Sequence, residues 1–360
     1  MNRTRHAVLA PAAGFTQPQL AMATQAARGC KRMVLRLVLC IYLGQSLLAA
    51  IPAYAATPGV VVAPNASANA HPLLDGARNG VPIVDIAPPS VAGVSNNQYS
   101  QFNVHNNGLI LNNSAGNVST QLGGWIAGNP LLGTTPARII LNQVVSNNPS
   151  QLLGTIEVAG QSANIVIANP NGITCNGCGF LNTARATLTT GTPQLGAGGG
   201  LQGFDVRQGQ IDVGSQGLTA ANLERLDLLA RSVVIEGGVW AQDLHVLTGA
   251  NQVFDGTLQA TPQTGTGAAP LFAIDIRNLG GMYANQISMV ATEQGVGINS
   301  TGRLAALQGN LVLSSNGNLT LQDTRARRLS DFAVFRMKTL SETIAAAQPR
   351  ARADEPLRPC

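Results

Sequence analysis

The sequence predicts an all-β protein: a right-handed parallel β-helix closed by an N-terminal β cap. Three observations carry this. Apolar residues alternate in short runs, each ended by Gly, Asn or Pro: Phe102 and Val104, Leu109 and Leu111, Ile156 and Val158, Ile165 and Ile167. No long stretch of helical period lies between residues 93 and 323; the nearest, Leu223 to Ser232, reads as one helical turn or as a strand. A Gly-x-x-Ala pattern recurs at Gly217, Gly238, Gly281 and Gly302, at spacings of 21, 43 and 21, with a degenerate copy near Gly256 filling the wide gap. A strand-rich unit of ~20 residues marks a solenoid. The leucine-rich signature that shares this period is missing. In a β-helix, coils stack ~4.8 Å apart, so about thirteen coils would give a rod of roughly 60 Å. Inward positions need aliphatic side chains, and corners need Gly and Asn, which tolerate positive φ. A chain with 11% charged residues, 4% aromatics and 40 glycines suits that design.

The segments follow in chain order. Residues 1–55 read as a signal peptide with an extended n-region. Arg3, Arg5, Arg28, Lys31 and Arg32 precede an apolar run from Leu37 to Ile51, which ends at Ala53-Tyr54-Ala55. That run is short for a membrane span and is interrupted. Residues 56–92, rich in Ala, Pro and Asn, read as an extended lead-in. Residues 93–323 form the β-helix domain, with 93–160 as the natural cap that an open stack requires. Residues 324–360 form a basic tail with no repeat, disordered or weakly helical, as a truncated gene product or an autonomous short protein would carry.

The net charge of +5 is a property of the ends. Residues 56–323 hold eight Arg, no Lys and 13 acids, so the body carries 8 − 13 = −5. A lysine-free acidic body does not suit a phosphate backbone, so nucleic acid is excluded as a partner. Cys175 and Cys178 flank Asn176-Gly177. Zinc would need three or four ligands, and His71, His105 and His245 are scattered. A redox pair would open a helix, whereas this one lies among turns. In an exported chain the pair reads as a disulfide clipping a β-turn. No metal, cofactor or catalytic residue is expected. A glycan-degrading β-helix would need clustered carboxylates, but the acids here are dispersed and no Asp-x-Asp occurs. An exported glycan-degrading or glycan-binding β-helix stays open as the second class.

The turn Asn169-Pro170-Asn171-Gly172, followed by Ile173, carries a resemblance. With Cys175 and Cys178, Gly179 to Thr183, Leu188 to Gly191, Tyr99 to Val104 and Gly108 to Ser114, it resembles the secretion domain of two-partner secretion exoproteins. These are the filamentous haemagglutinins, haemolysins and contact-dependent inhibition proteins of Gram-negative bacteria. A second family motif, Asn-Pro-Asn-Leu, is matched by Asn129 and Pro130 but has Leu131 in place of Asn. The resemblance spans about residues 93–320. It implies a right-handed parallel β-helix with an N-terminal cap. It also implies export through the periplasm and recognition by a cognate outer-membrane transporter with POTRA domains, followed by folding outside the cell. Adhesion to a host or neighbouring-cell surface receptor is implied by the family alone; nothing between residues 190 and 323 names a receptor.

Overall fold

Each coil of the protein runs over three faces, as separate short strands or as longer strands that bend from one face to the next. In the computed structural model, which describes residues 59–328 and 340–342, one complete coil consists of Ile173–Cys175, Cys178–Leu181 and Arg185–Thr189. These strands lie on faces one, two and three respectively. Every strand pairs in parallel with its counterparts in the coils before and after. Cys175 lies beside Leu152 and Val213, Phe180 beside Ile156, and Leu188 beside Ile167 and Leu228. On face three one inward column runs Ile140, Ile165, Ala186, Leu226, Leu244, Ile287, Leu311. All seven belong to the same buried core. Fully burying each Ile or Leu contributes about 1.5–3 kcal/mol. The strand Val94–Phe102 begins this face, placing Ser95 beside Ile140. The stretch 223–232 is strand to Ala230, part of the long bent strand Leu218–Ala230.

The fold is the all-β parallel β-helix, and no described residue is α-helical. No described helix is long and apolar enough to cross a membrane. The stack is shorter than the period implied: among the described residues face three carries eight strands, from Val94–Phe102 to the end of Gly297–Ser315. The difference lies in inserted hairpins. Thr192–Leu195, Leu201–Val206, Asn251–Phe254 and Ala260–Pro262 form a separate antiparallel sheet. The gap between Gly238 and Gly281 therefore holds a hairpin and not a degenerate coil, for Gly238 and Gly281 are direct neighbours. The last repeat also shifts by one residue, because Gly281 pairs with Arg303 and not with Gly302.

The inserted sheet has a physical reason. Pleating sends alternate residues of face three outward, and several are apolar: Leu141, Val166, Ala168, Leu229 and Leu247. Phe204, Val206 and Val253 of the inserted sheet cover them in a second buried cluster.

Residues 59–92 are not a lead-in. Val60–Val62 pairs antiparallel with Val94–Phe102, and Leu73–Gly76 forms a hairpin with Pro82–Asp85. The latter strand then lies in parallel beside Leu109–Asn113. Val84 and Ile86 are fully buried in the main core. This segment, with the hairpin Val118–Thr120 and Gly124–Ile126, does the capping. Much of 93–160 is already coil, because the strands at 139–144 and 155–160 carry the regular parallel register. At the other end Leu319–Arg328 runs past residue 323 as a strand. Residues 1–55, expected to be a signal peptide, and most of the 324–360 tail lie outside the described residues.

The cap contains a buried carboxyl. Asp85 accepts a hydrogen bond from Asn112 Nδ2 at 2.7 Å. Burial raises its pKa above the usual 3.8 and outweighs the Asn112 bond, while Asp75 adds to the rise. A raised folded-state pKa means the folded chain binds the proton more tightly. This stabilising contribution is full below pH 3.8 and is lost as pH rises through the folded-state value. Asp85→Asn is therefore expected to raise the urea midpoint at pH 7, with the gain disappearing near pH 3; an unchanged or lower midpoint at pH 7 would refute it.

Candidate functional site

The chain leaves Asn164–Ala168 on face three and must turn within four residues to begin Ile173–Cys175 on face one. Asn169 organises this corner. Its carbonyl accepts the N–H of Gly172 at 3.1 Å, closing a β-turn. Its side-chain Oδ1 accepts the N–H of Asn171 at 3.0 Å, an Asx turn around Pro170. Gly172 has φ +109°, which a residue with a side chain rarely adopts.

The corner is locked to the coils on both sides. Asn169 Nδ2 donates to the carbonyl of Asn148 and to Ser150 Oγ, both at 2.9 Å. Asn171 Nδ2 donates to the carbonyl of Ser146 at 2.7 Å. On the other side the N–H of Asn169 donates to the carbonyl of Thr189 at 2.9 Å, and Gln208 Nε2 reaches the carbonyl of Pro170 at 3.4 Å. The Asn169 side chain is consequently fully buried, while Pro170 and Asn171 are half-buried. Ile173 points into the core beneath them.

Asn129 and Pro130 repeat this design at another corner. Asn129 Oδ1 accepts the N–H of Leu131 at 2.8 Å, and Nδ2 donates to the carbonyls of Ile86 and Asn112, both at 2.9 Å. Leu131 has no side-chain amide for the extra bond that Asn171 makes. The two turns share no hydrogen-bond partner. The partners Ser146, Asn148 and Ser150 escaped the sequence reading. Their available signal was Asn148-Pro149, which sits 21 residues before Asn169-Pro170 and forms the equivalent corner one coil earlier.

Cys175 and Cys178 are joined as a disulfide with Cα atoms 5.4 Å apart, and both are buried. Gly177 between them bends the chain at φ +86°.

The buried carboxylates serve architecture. Glu157 accepts the N–H groups of Gln121 and Leu122 at 2.7 and 2.8 Å, fastening the turn of the cap hairpin. Asp227 is fully buried between Arg185 Nε at 2.6 Å and Arg225 Nε at 2.7 Å, and Arg185 also pairs with Asp255 at 2.9 Å. Burial opposes the Arg185 charge, but the two carboxylates outweigh it and hold its pKa above the ordinary value. Among the described residues no group of three or more His, Cys, Asp or Glu is placed to hold a metal ion.

The described residues thus form a capped parallel β-helix with a locked Asn-Pro-Asn-Gly corner. The TPS secretion domain profile matches residues 60–321. The chain belongs to this family. It is 49% identical over 276 residues to the tRNA nuclease CdiA-2 of Burkholderia pseudomallei strain 1026b, covering 76% of this chain and 9% of that protein. With the Toxin CdiA of Yersinia pestis it shares 46% identity over 265 residues, or 73% of this chain and 8% of that protein. The crystal structure of the filamentous hemagglutinin secretion domain superposes with a TM-score of 0.68 at 37% identity, covering 74% of this chain and 90% of that one. The chain thus spans less than a tenth of the curated relatives it matches, and the nuclease of their names is said of those proteins. These findings favour the secretion domain of a haemagglutinin- or CdiA-type exoprotein over a glycan-degrading β-helix. Such exoproteins are exported across the outer membrane to the cell surface or the medium, and the family implies an outer-membrane transporter as partner.

Proposed function

We propose that the POTRA domains of this transporter read the chain before it folds, and that the 93–190 segment then nucleates the β-helix outside the cell. The observation that supports this reading is the burial of Asn169 with its amide fully engaged inside the fold. A partner that recognises the Asn169 side chain must meet it while the chain is still open. Residues 1–55 would bring the chain into the periplasm as a signal peptide. Once outside, each coil pairs only with its neighbours, so folding can begin at one end and propagate.

The test is binding of the full chain to the transporter's periplasmic part. Chain freshly diluted from urea is expected to bind, and folded chain to bind at least about tenfold more weakly, a difference of ~1.4 kcal/mol. Asn171→Ala should weaken binding of the unfolded chain. Equal binding by folded and unfolded chains would exclude recognition before folding.

A further inference from the structure

We infer that a periplasmic protein oxidant closes the Cys175–Cys178 disulfide before the chain folds, and that the closed pair crosses the outer membrane as a preformed corner of the β-helix. This rests on the export reading above. Both cysteines lie inside the stack, with 0% and 1% of their surface exposed. Cys175 takes a place in the inward column Leu152, Cys175, Val213, Ile235. Cys178 takes one in the column Cys178, Leu218, Val239, Met282. Both neighbouring coils seal the link between them. The N–H of Asn176 donates to the carbonyl of Leu152 at 2.9 Å, and the N–H of Gly177 to that of Gly217 at 2.8 Å. Asn176 Oδ1 accepts the N–H of Gln216 at 2.9 Å.

Thiol–disulfide exchange requires the attacking thiolate and the oxidant's disulfide to meet, so access controls its rate. Once the neighbouring coils are in place, an oxidant cannot reach either sulfur. Closure therefore belongs to the open chain. One cysteine thiolate attacks the oxidant's disulfide to give a mixed disulfide, and the second displaces it. Two electrons and two protons pass to the oxidant, which leaves as a dithiol.

The short span makes early closure compatible with export. The cysteines are three positions apart. Such a bridge ties no distant segments together, so the chain still enters a pore as a single strand. A disulfide between coils would force two strands through together. A short loop also has little closure entropy to remove, so its contribution to stability is modest and its use lies in timing. The bend at Gly177 is fixed before the coils on either side exist.

Two measurements on the full chain test this order. In the first, reduced chain is refolded and then exposed to oxidised glutathione, beside reduced chain kept in urea. After alkylation, the 175–178 bond is read by peptide mass spectrometry, which separates it from Cys30, Cys40 and Cys360. Closure is expected to be at least about tenfold slower in the folded chain. A reduced chain that loses its β circular-dichroism signal altogether supports the same order, and comparable rates would overturn it. In the second, chain is caught in the periplasm of cells lacking the transporter. A closed bond is expected there, and free thiols would overturn the proposal. Secretion by cells that have the transporter is scored separately, so a failure of the export reading is distinguished from a failure of the order.

Discussion

Asn169→Ala is expected to destabilise the folded chain by about 3 kcal/mol and to abolish its export while leaving synthesis intact. The substitution removes both donors from the carbonyl of Asn148 and from Ser150 Oγ, and the acceptor from the N–H of Asn171. Each buried group left without a partner costs about 1–3 kcal/mol. Urea unfolding of the purified chain measures the first effect, and the ratio of secreted to cell-bound protein the second. Asn171→Ala separates the two. Asn171 is half-buried and makes one bond to the neighbouring coil, so its stability loss should stay near 1 kcal/mol. A strong export defect in this mildly destabilised variant points to recognition, and normal export of both variants would rule the motif out as a secretion signal.

Asp227→Ala is expected to cost about 3–5 kcal/mol, because it leaves the Arg185 and Arg225 guanidinium groups close together without their shared carboxylate. The damage should spread outward. Arg185 also holds Asp255, and Arg225 reaches the carbonyl of Gly256, both at the tip of an inserted hairpin. Hydrogen exchange should therefore speed up across 251–262 before the coils themselves open. The control is Arg207→Ala, which removes a half-exposed pair with Asp205 and should cost under about 1 kcal/mol. Equal losses from the two variants would show that burial of Asp227 is not what gives the cluster its weight.

The coils were legible because their pattern is local. Alternation at Ile165 and Ile167, or at Leu109 and Leu111, needs no knowledge of distant residues, and the stack placed those residues in its core. The coil count was not legible. A hairpin such as 251–262 alternates apolar and polar residues as a coil does, so the wide gap before Gly281 looked like a weak repeat. The cap was hidden for a related reason. Pro82 to Asp85 lies in an Ala- and Pro-rich stretch, and the open edge of Leu109–Asn113 that docks its hairpin onto the stack is set only by the fold.

The same division runs through the candidate site. The sequence by itself determined the class of fold, the Asn-Pro-Asn-Gly turn and the cysteine pair, since turn chemistry and side-chain period are fixed within a few consecutive residues. Only the tertiary structure decided that Asn169 is buried, that Ser146, Asn148 and Ser150 hold it, and that the cysteines face inward. Those facts depend on parallel register, which brings residues 19 to 25 positions apart into contact at this corner, and register is set by the whole stack of inward columns.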